Sequence, residues 1–320
     1  MRDDYLWDRS GVPDPEVQRL ERLLIGFRSQ RGAPELPAKG WRLDPGAKWG
    51  SVAAAVALMA AGTWLISGSV PEGWQVARDG ASSRLTTGQT LETGPADHAT
   101  LNLGVGTIDV EPNSRLRLER VRKTEQRMSL EYGLIHAFIW APPRTFVVDT
   151  PSAVATDLGC FYTLSVDPDG GGLLKVEAGW VSFAHAGRES FIPAGAACRM
   201  RPGYGPGTPY REQATPAFIQ ALRDFDFAGG GGALDIVLKE ATKEDAFTLW
   251  HLLTRCQASQ LTRVYDSLAV LVPPPEGVTQ AGIQRRDPQM LDRWWNQLGL
   301  GQTGWWREWE RQWPAAPAKR

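Results

Sequence analysis

The sequence predicts a multi-domain membrane protein. A short α-helical N-terminal segment precedes a single transmembrane helix, an all-β domain of many short antiparallel strands forming a sandwich or β-roll, and a small all-α C-terminal domain. Three observations carry this. Residues 49–70 contain no charged side chain, and as a helix they would measure about 33 Å, enough to cross a hydrocarbon core of about 30 Å. Beyond them, apolar residues alternate with a period of two, as in half-buried strands. Past residue 232 the spacing becomes three and four, the signature of a helix with one buried face.

At the N-terminus, Asp3-Asp4-Tyr5-Leu6-Trp7 reads as a short helical turn ended by Gly11. Asp14 then suits a cap and Pro15 the first helical position. Val17, Leu20, Leu23, Leu24 and Phe27 follow at spacings of three and four, opposite Arg19, Glu21, Arg22 and Arg28. A lone amphipathic helix cannot bury its own apolar face. The expected partner-binding residues are therefore Tyr5, Leu6, Trp7, Leu20, Leu23, Leu24 and Phe27, with packing of the helix on Tyr5, Leu6 and Trp7, or on a second copy, as the competing arrangements. Residues 1–30 form this segment, and residues 31–48, rich in Pro and Gly, read as a tether.

Within residues 49–70 the apolar signal comes from Val52, Val56, Leu58, Met59, Trp64, Leu65 and Ile66. A buried helix of a soluble protein competes with this reading, but such helices seldom run so long without a charge. A cleaved signal peptide would need its apolar run near the N-terminus. Arg31, Lys39, Arg42 and Lys48 precede the stretch, against Arg78 and Arg84 after it, which favours an N-terminus inside. Trp49, Trp64 and Trp74 fall where an aromatic belt is expected.

The β domain is expected over residues 73–203, with a dozen or so strands. Leu101 and Leu103, Ile108 and Val110, Leu116 and Leu118, and Met128, Leu130 and Tyr132 stand two apart with charged residues between several of them. Turn formers punctuate them, among them Pro112-Asn113, Gly133, Pro142-Pro143, Gly179 and Gly187.

A net charge of −1 argues against a grip on nucleic acid. Cys160, Cys198 and Cys256 form no C-x-x-C pair, so no zinc spacing arises and no metal or cofactor is expected. If the long part is extracytoplasmic, Cys160 with Cys198 is the expected disulfide. Cys160, His136 and Asp157 make up a nominal nucleophilic set, but nothing in their spacing enforces contact, and no catalytic residue is assigned. The Gly run at 229–232 lacks the Lys-Ser/Thr of a phosphate loop and reads as part of a linker spanning residues 204–232, which also holds a short helix.

The helical tail is expected over residues 233–314. Thr242 and Asp245 make a capping-box start for Phe247, Trp250 and Leu253. A second helix carries Leu261, Val264, Tyr265, Leu268 and Leu271 and stops at Pro273. A third starts at Asp287-Pro288 and presents Met290, Leu291, Trp294, Trp295 and Leu298, and a fourth shows Trp305, Trp306, Trp309 and Trp313. Six of the fourteen tryptophans fall in the last two helices. Their helical spacing favours core packing over a sugar, lipid or protein contact.

Six short pieces carry a family resemblance, in order: Gly88-Gln89 with Leu91-Glu92-Thr93; Asn113-Ser114-Arg115-Leu116; Tyr132-Gly133-Leu134-Ile135; Val147-Val148-Asp149-Thr150-Pro151; Gly159-Cys160-Phe161; and Val176-Glu177-Ala178-Gly179-Trp180-Val181. Over residues 80–201 the chain resembles the FecR family of bacterial inner-membrane sigma-factor regulators. The resemblance implies a periplasmic β-rich domain, a single span, and a cytoplasmic N-terminal segment that binds an alternative sigma factor, with a periplasmic or outer-membrane partner supplying the input. Two departures stand out: Cys160 replaces a threonine usual in the family, and residues 1–48 hold neither His nor Cys, so no zinc-type anti-sigma site is expected. The alternative reading is a membrane-tethered envelope-binding or scaffold module without regulatory output.

Overall fold

The computed structural model describes residues 73–300, apart from 79 and 231. The predicted span and the helix carrying Trp305 to Trp313 lie outside these residues. Among the described residues, no helix is long and apolar enough to cross a membrane.

Sixteen strands come first: β1 (Gly73–Arg78), β2 (Ala81–Thr86), β3 (Thr90–Glu92), β4 (Ala99–Asn102), β5 (Gly106–Val110), β6 (Arg115–Arg122), β7 (Glu125–Ile139) and β8 (Phe146–Asp149), then β9 (Val154–Asp157), β10 (Cys160–Val166), β11 (Gly172–Ala178), β12 (Trp180–His185), β13 (Arg188–Pro193), β14 (Ala196–Arg201), β15 (Gly205–Pro206) and β16 (Tyr210–Arg211). They pair in two series that share β7. One runs β2-β1-β4-β5-β7-β10-β11-β14, with β15 and β16 both on β14. The other runs β3-β6-β7-β8-β9-β12-β13. The first half of β7 pairs with β6 and β8, the second with β5 and β10.

Two expectations are corrected here. β7, at fifteen residues, is not a short strand. The β7–β8 pair is parallel, in a sheet expected to be antiparallel throughout. A parallel neighbour needs a long crossover, and the second half of β7 with the loop after it supplies that return path.

The alternation that predicts the strands is the alternation that fills the core. Leu101, Ile108, Leu116, Leu118, Met128 and Leu130 are all fully buried, each contributing roughly 1.5–3 kcal/mol by leaving water. The phase then slips within β7: Gln126, Met128 and Leu130 point inward, but so do Ile135, Ala137 and Ile139. A one-residue slip exchanges the faces of a strand. Tyr132, predicted to continue the buried row, is therefore only half-buried, and its hydroxyl donates to Glu92 Oε1 at 3.0 Å.

Gly133 sits at the slip with φ +104°, and a Cβ there would lie 2.2 Å from Ser114 Oγ. Gly133→Ala is expected to cost about 2–3 kcal/mol, from backbone strain and overpacking together. Urea unfolding of the variant measures it, and a loss below about 0.5 kcal/mol would mean that the corner yields freely.

Trp74 also departs from expectation. It is no belt residue: it is 1% exposed in the β core, and its Nε1 donates to Gln126 Oε1 at 2.9 Å.

Six α-helices follow: α1 (Pro216–Phe227), α2 (Ala233–Glu240), α3 (Ala246–Arg255), α4 (Ala258–Leu271), α5 (Gln280–Gln284) and α6 (Pro288–Gln297). Helices α3, α4 and α6 are the predicted ones. Asp287 caps α6 by accepting from Gln289 N and Met290 N, and the Thr242–Asp245 capping box forms on a 3-10 turn leading into α3. Helix α1 is longer than the sequence showed, starting at Pro216 with Thr215 as its cap. Trp294 and Trp295 are buried as core residues; Trp294 donates to Val272 O at 3.1 Å and lies edge-on to Tyr265.

Candidate functional site

Tyr5, Leu6, Trp7, Leu20, Leu23, Leu24 and Phe27, the predicted partner-binding residues, lie outside the described residues. Within them, the six pieces of the resemblance converge on shared corners. Ser114 N donates to Thr93 Oγ1 at 2.9 Å, Leu134 N donates to Ser114 Oγ at 3.0 Å, and Gly133 packs against Ser114. Arg115 pairs with Glu92 at 3.0 Å. Three pieces thus meet at one junction. Two more meet where Gly179, at φ +75°, packs so closely on Gly159 O that a Cβ has no room. In the remaining piece, Thr150 Oγ1 donates to Ala153 O at 2.7 Å and closes the turn after β8. These residues build turns and corners.

The nominal nucleophilic set does not assemble. In the β7–β10 register His136 faces Thr163 while Cys160 faces Ile139. The odd spacing from Cys160 to Thr163 puts them on opposite faces of β10: Cys160 is buried, whereas His136 is half-exposed, 2.9 Å from Thr163 Oγ1. The expected Cys160–Cys198 disulfide is also absent, and all three cysteines are free, buried thiols. Each sits in its own strand or helix end as a small apolar group.

Asp157 and Cys160 nevertheless make a buried polar cluster. The Cys160 thiol donates to Asp157 Oδ2, and Gly159 N donates to Asp157 Oδ1 at 2.7 Å. Tyr162 is fully buried nearby, its hydroxyl without a hydrogen-bond partner among the described residues. Burial pushes the Asp157 carboxyl up to about 7, against the bonds from Cys160 and Gly159. Burial, and then the Asp157 charge, raise the Cys160 thiol well above its ordinary range. A thiol so held is a poor nucleophile, because the thiolate is the reactive form.

The second concentration of chemistry is the seam between the sheet and the helices. His251 is buried; its Nδ1 lies 2.7 Å from Phe247 O, and its Nε2 accepts from Phe191 N at 3.0 Å. This pattern fixes the neutral tautomer with the proton on Nδ1, and burial holds the imidazole well below its usual range. Trp295 packs against Trp250 at 4.6 Å, Trp180 at 5.9 Å and Phe191 at 6.1 Å between centroids. Asp226 on α1 accepts from Arg188 on β13 at 2.5 Å and from Thr208 N at 2.6 Å. None of this was legible in the sequence, since the partners lie up to 115 positions apart.

An exposed aromatic group lies on the outer face of the first series. Phe138 is 52% and Trp140 57% exposed. Their rings meet edge-on at 5.3 Å, and Phe161 stands across the strand pair from Phe138 at 6.0 Å. Exposed rings of this size, adjoining one another, mark a contact surface more often than scattered apolar residues do.

No protein-family model matches the chain, and no curated protein matches it. Two solved structures of a candidate anti-sigma factor from Parabacteroides distasonis are similar to it, at 15% and 16% identity and a TM-score of 0.35. The match covers 41% of this chain and 64% and 65% of those chains, just under two thirds of their length.

Proposed function

We propose that the chain is a single-pass regulator of a bacterial inner membrane. Its N-terminal helices bind a cytoplasmic alternative sigma factor, and its β domain receives a periplasmic input. The observation that carries this reading is the ordered set of six FecR-like pieces, together with the charge-free stretch at residues 49–70 and the apolar stripe Leu20, Leu23, Leu24 and Phe27. Signalling follows if the input binds one conformational state of the chain more tightly than another. We assign it no catalytic role.

The test is co-purification. The full chain, extracted from membranes in detergent, is expected to carry a sigma factor, and Leu20→Glu with Leu23→Glu is expected to lose it by placing charge in an apolar contact. Recovery of no sigma factor from cells expressing the whole set would sink the proposal. The second reading, an envelope-binding module, is favoured by the exposed Phe138 and Trp140 with the half-buried Phe161 beside them, which offer stacking faces for glycan. The same preparation retaining glycan strands and no sigma factor would favour it.

A further inference from the structure

The seam between sheet and helices contains an open cleft of about 200 Å³, lined by Arg188, Asp226, Gly230, Arg255, Gln257 and Gln260 among others. Its charges do not balance. Asp226 is matched by Arg188, with Thr208 N and Oγ1 satisfying its remaining capacity. Arg255 donates only to neutral acceptors: Thr208 Oγ1 at 2.9 Å, Glu189 O at 2.8 Å and Ser190 Oγ at 2.6 Å. The Glu189 carboxylate is engaged elsewhere, accepting from Ser182 at 2.5 Å and facing Arg144. Among the described residues lining the cleft, two guanidinium groups thus face one carboxylate, Asp226, whose charge acts on Arg255 without a hydrogen bond, and burial pulls Arg255 down to about 10. Arg188 adds a second unmet demand, because its Nε is buried and has no hydrogen-bond partner among the described residues. Across the cleft, Gln257 and Gln260 form the capping box at the start of the fourteen-residue α4, the positive end of that helix dipole.

We propose that this cleft binds a small oxyanion, phosphate or carboxylate, between Arg188, Arg255 and the N-terminus of α4. A single oxyanion in the cleft neutralises the surplus guanidinium charge. Charge-assisted bonds of this kind are the strong ones. Because the cleft is walled by β13, α1 and the α3–α4 junction, an anion there would also tie the helices to the sheet.

The experiment is isothermal titration of the full chain in detergent with inorganic phosphate and, separately, acetate, at constant ionic strength with chloride as the background. Binding of either is expected, and the relative affinities identify which oxyanion class the cleft prefers. Arg188→Gln removes one of the two guanidinium groups lining the cleft. Gln257→Glu keeps the cap acceptor, sits on an exposed rim residue, and puts a negative charge at the mouth. Each is expected to weaken binding by about tenfold or more. Arg223→Gln, in a separate cleft with Arg199 and Arg201, is expected to leave it unchanged. Absence of binding at millimolar anion, equal affinity in Gln257→Glu, or loss in Arg223→Gln alone would each overturn the assignment. Should Arg188→Gln unfold, Gln257→Glu alone decides.

Discussion

Replacing Asp157 by asparagine is expected to abolish a pH dependence of stability worth about 4 kcal/mol. In the folded chain the carboxyl titrates at about 7, from an ordinary value of 3.8, and each unit of such a shift corresponds to about 1.4 kcal/mol. Between those values the folded state keeps a proton that the unfolded state has released. Stability from this group is therefore full below 3.8 and declines as pH rises, with the whole contribution gone above about 7. His251 acts in the opposite sense. Its folded pKa is depressed, so its contribution is present above 6.5 and lost as pH falls below that value. The two slopes partly cancel in the native protein, so the informative quantity is the difference between variant and native unfolding free energies. Urea titrations from about pH 4 to 8 should show that difference shifting in favour of Asp157→Asn by about 4 kcal/mol. A difference that is flat with pH would show that Asp157 ionises in the folded state as it does in the unfolded one.

Trp295→Ala carries the other large expected effect, about 3–5 kcal/mol, the usual cost of emptying a buried tryptophan site. The ring is 2% exposed and is shared between the two parts of the molecule: Trp180 and Phe191 come from strands, Trp250 and His251 from α3. Removing it opens a void at the seam that neither a sheet nor a short helix can close by sliding. Hydrogen exchange should therefore quicken in α3 and α6 well before the strands around Ile135 and Leu164 lose protection. A loss of less than about 0.5 kcal/mol, within the range of ordinary surface changes, would mean that the helices hold to the sheet through the Arg188–Asp226 contact instead.

Both effects arise at places the linear pattern does not mark. Asp157 looks like any polar residue at the end of a strand, and its shift comes from burial in the folded sheet, against the opposing bonds from Cys160 and Gly159. His251 lies in an apolar helix, with nothing in the sequence pointing to Phe191, sixty residues away, as its hydrogen-bond partner. The aromatic pair Phe138 and Trp140 sits in an alternating run whose inward phase has already slipped, so which of its members face solvent depends on the corner at Gly133.

What the sequence determined by itself is the kind of many of the described elements and several of their ends. Period-two alternation from Leu101 to Leu130 is enough for strands, because a strand can bury only every second residue. Spacing of three and four, with Asp287-Pro288 and Thr242 as starts, is enough for α3, α4 and α6, because caps and helix periodicity are local. Tertiary structure alone decided where the faces change and what meets what. The slip at Gly133 depends on Ser114 filling the space a side chain would need, and the parallel β7–β8 pair depends on the chain returning after Ile139 to the first half of β7. Trp74 left a membrane-interface expectation for the β core because Gln126, fifty-two residues away, accepts its indole hydrogen. The seam and its surplus arginine exist only once β13, α1 and α3 are brought together, since charge balance belongs to a place in the fold and the sequence records only the total.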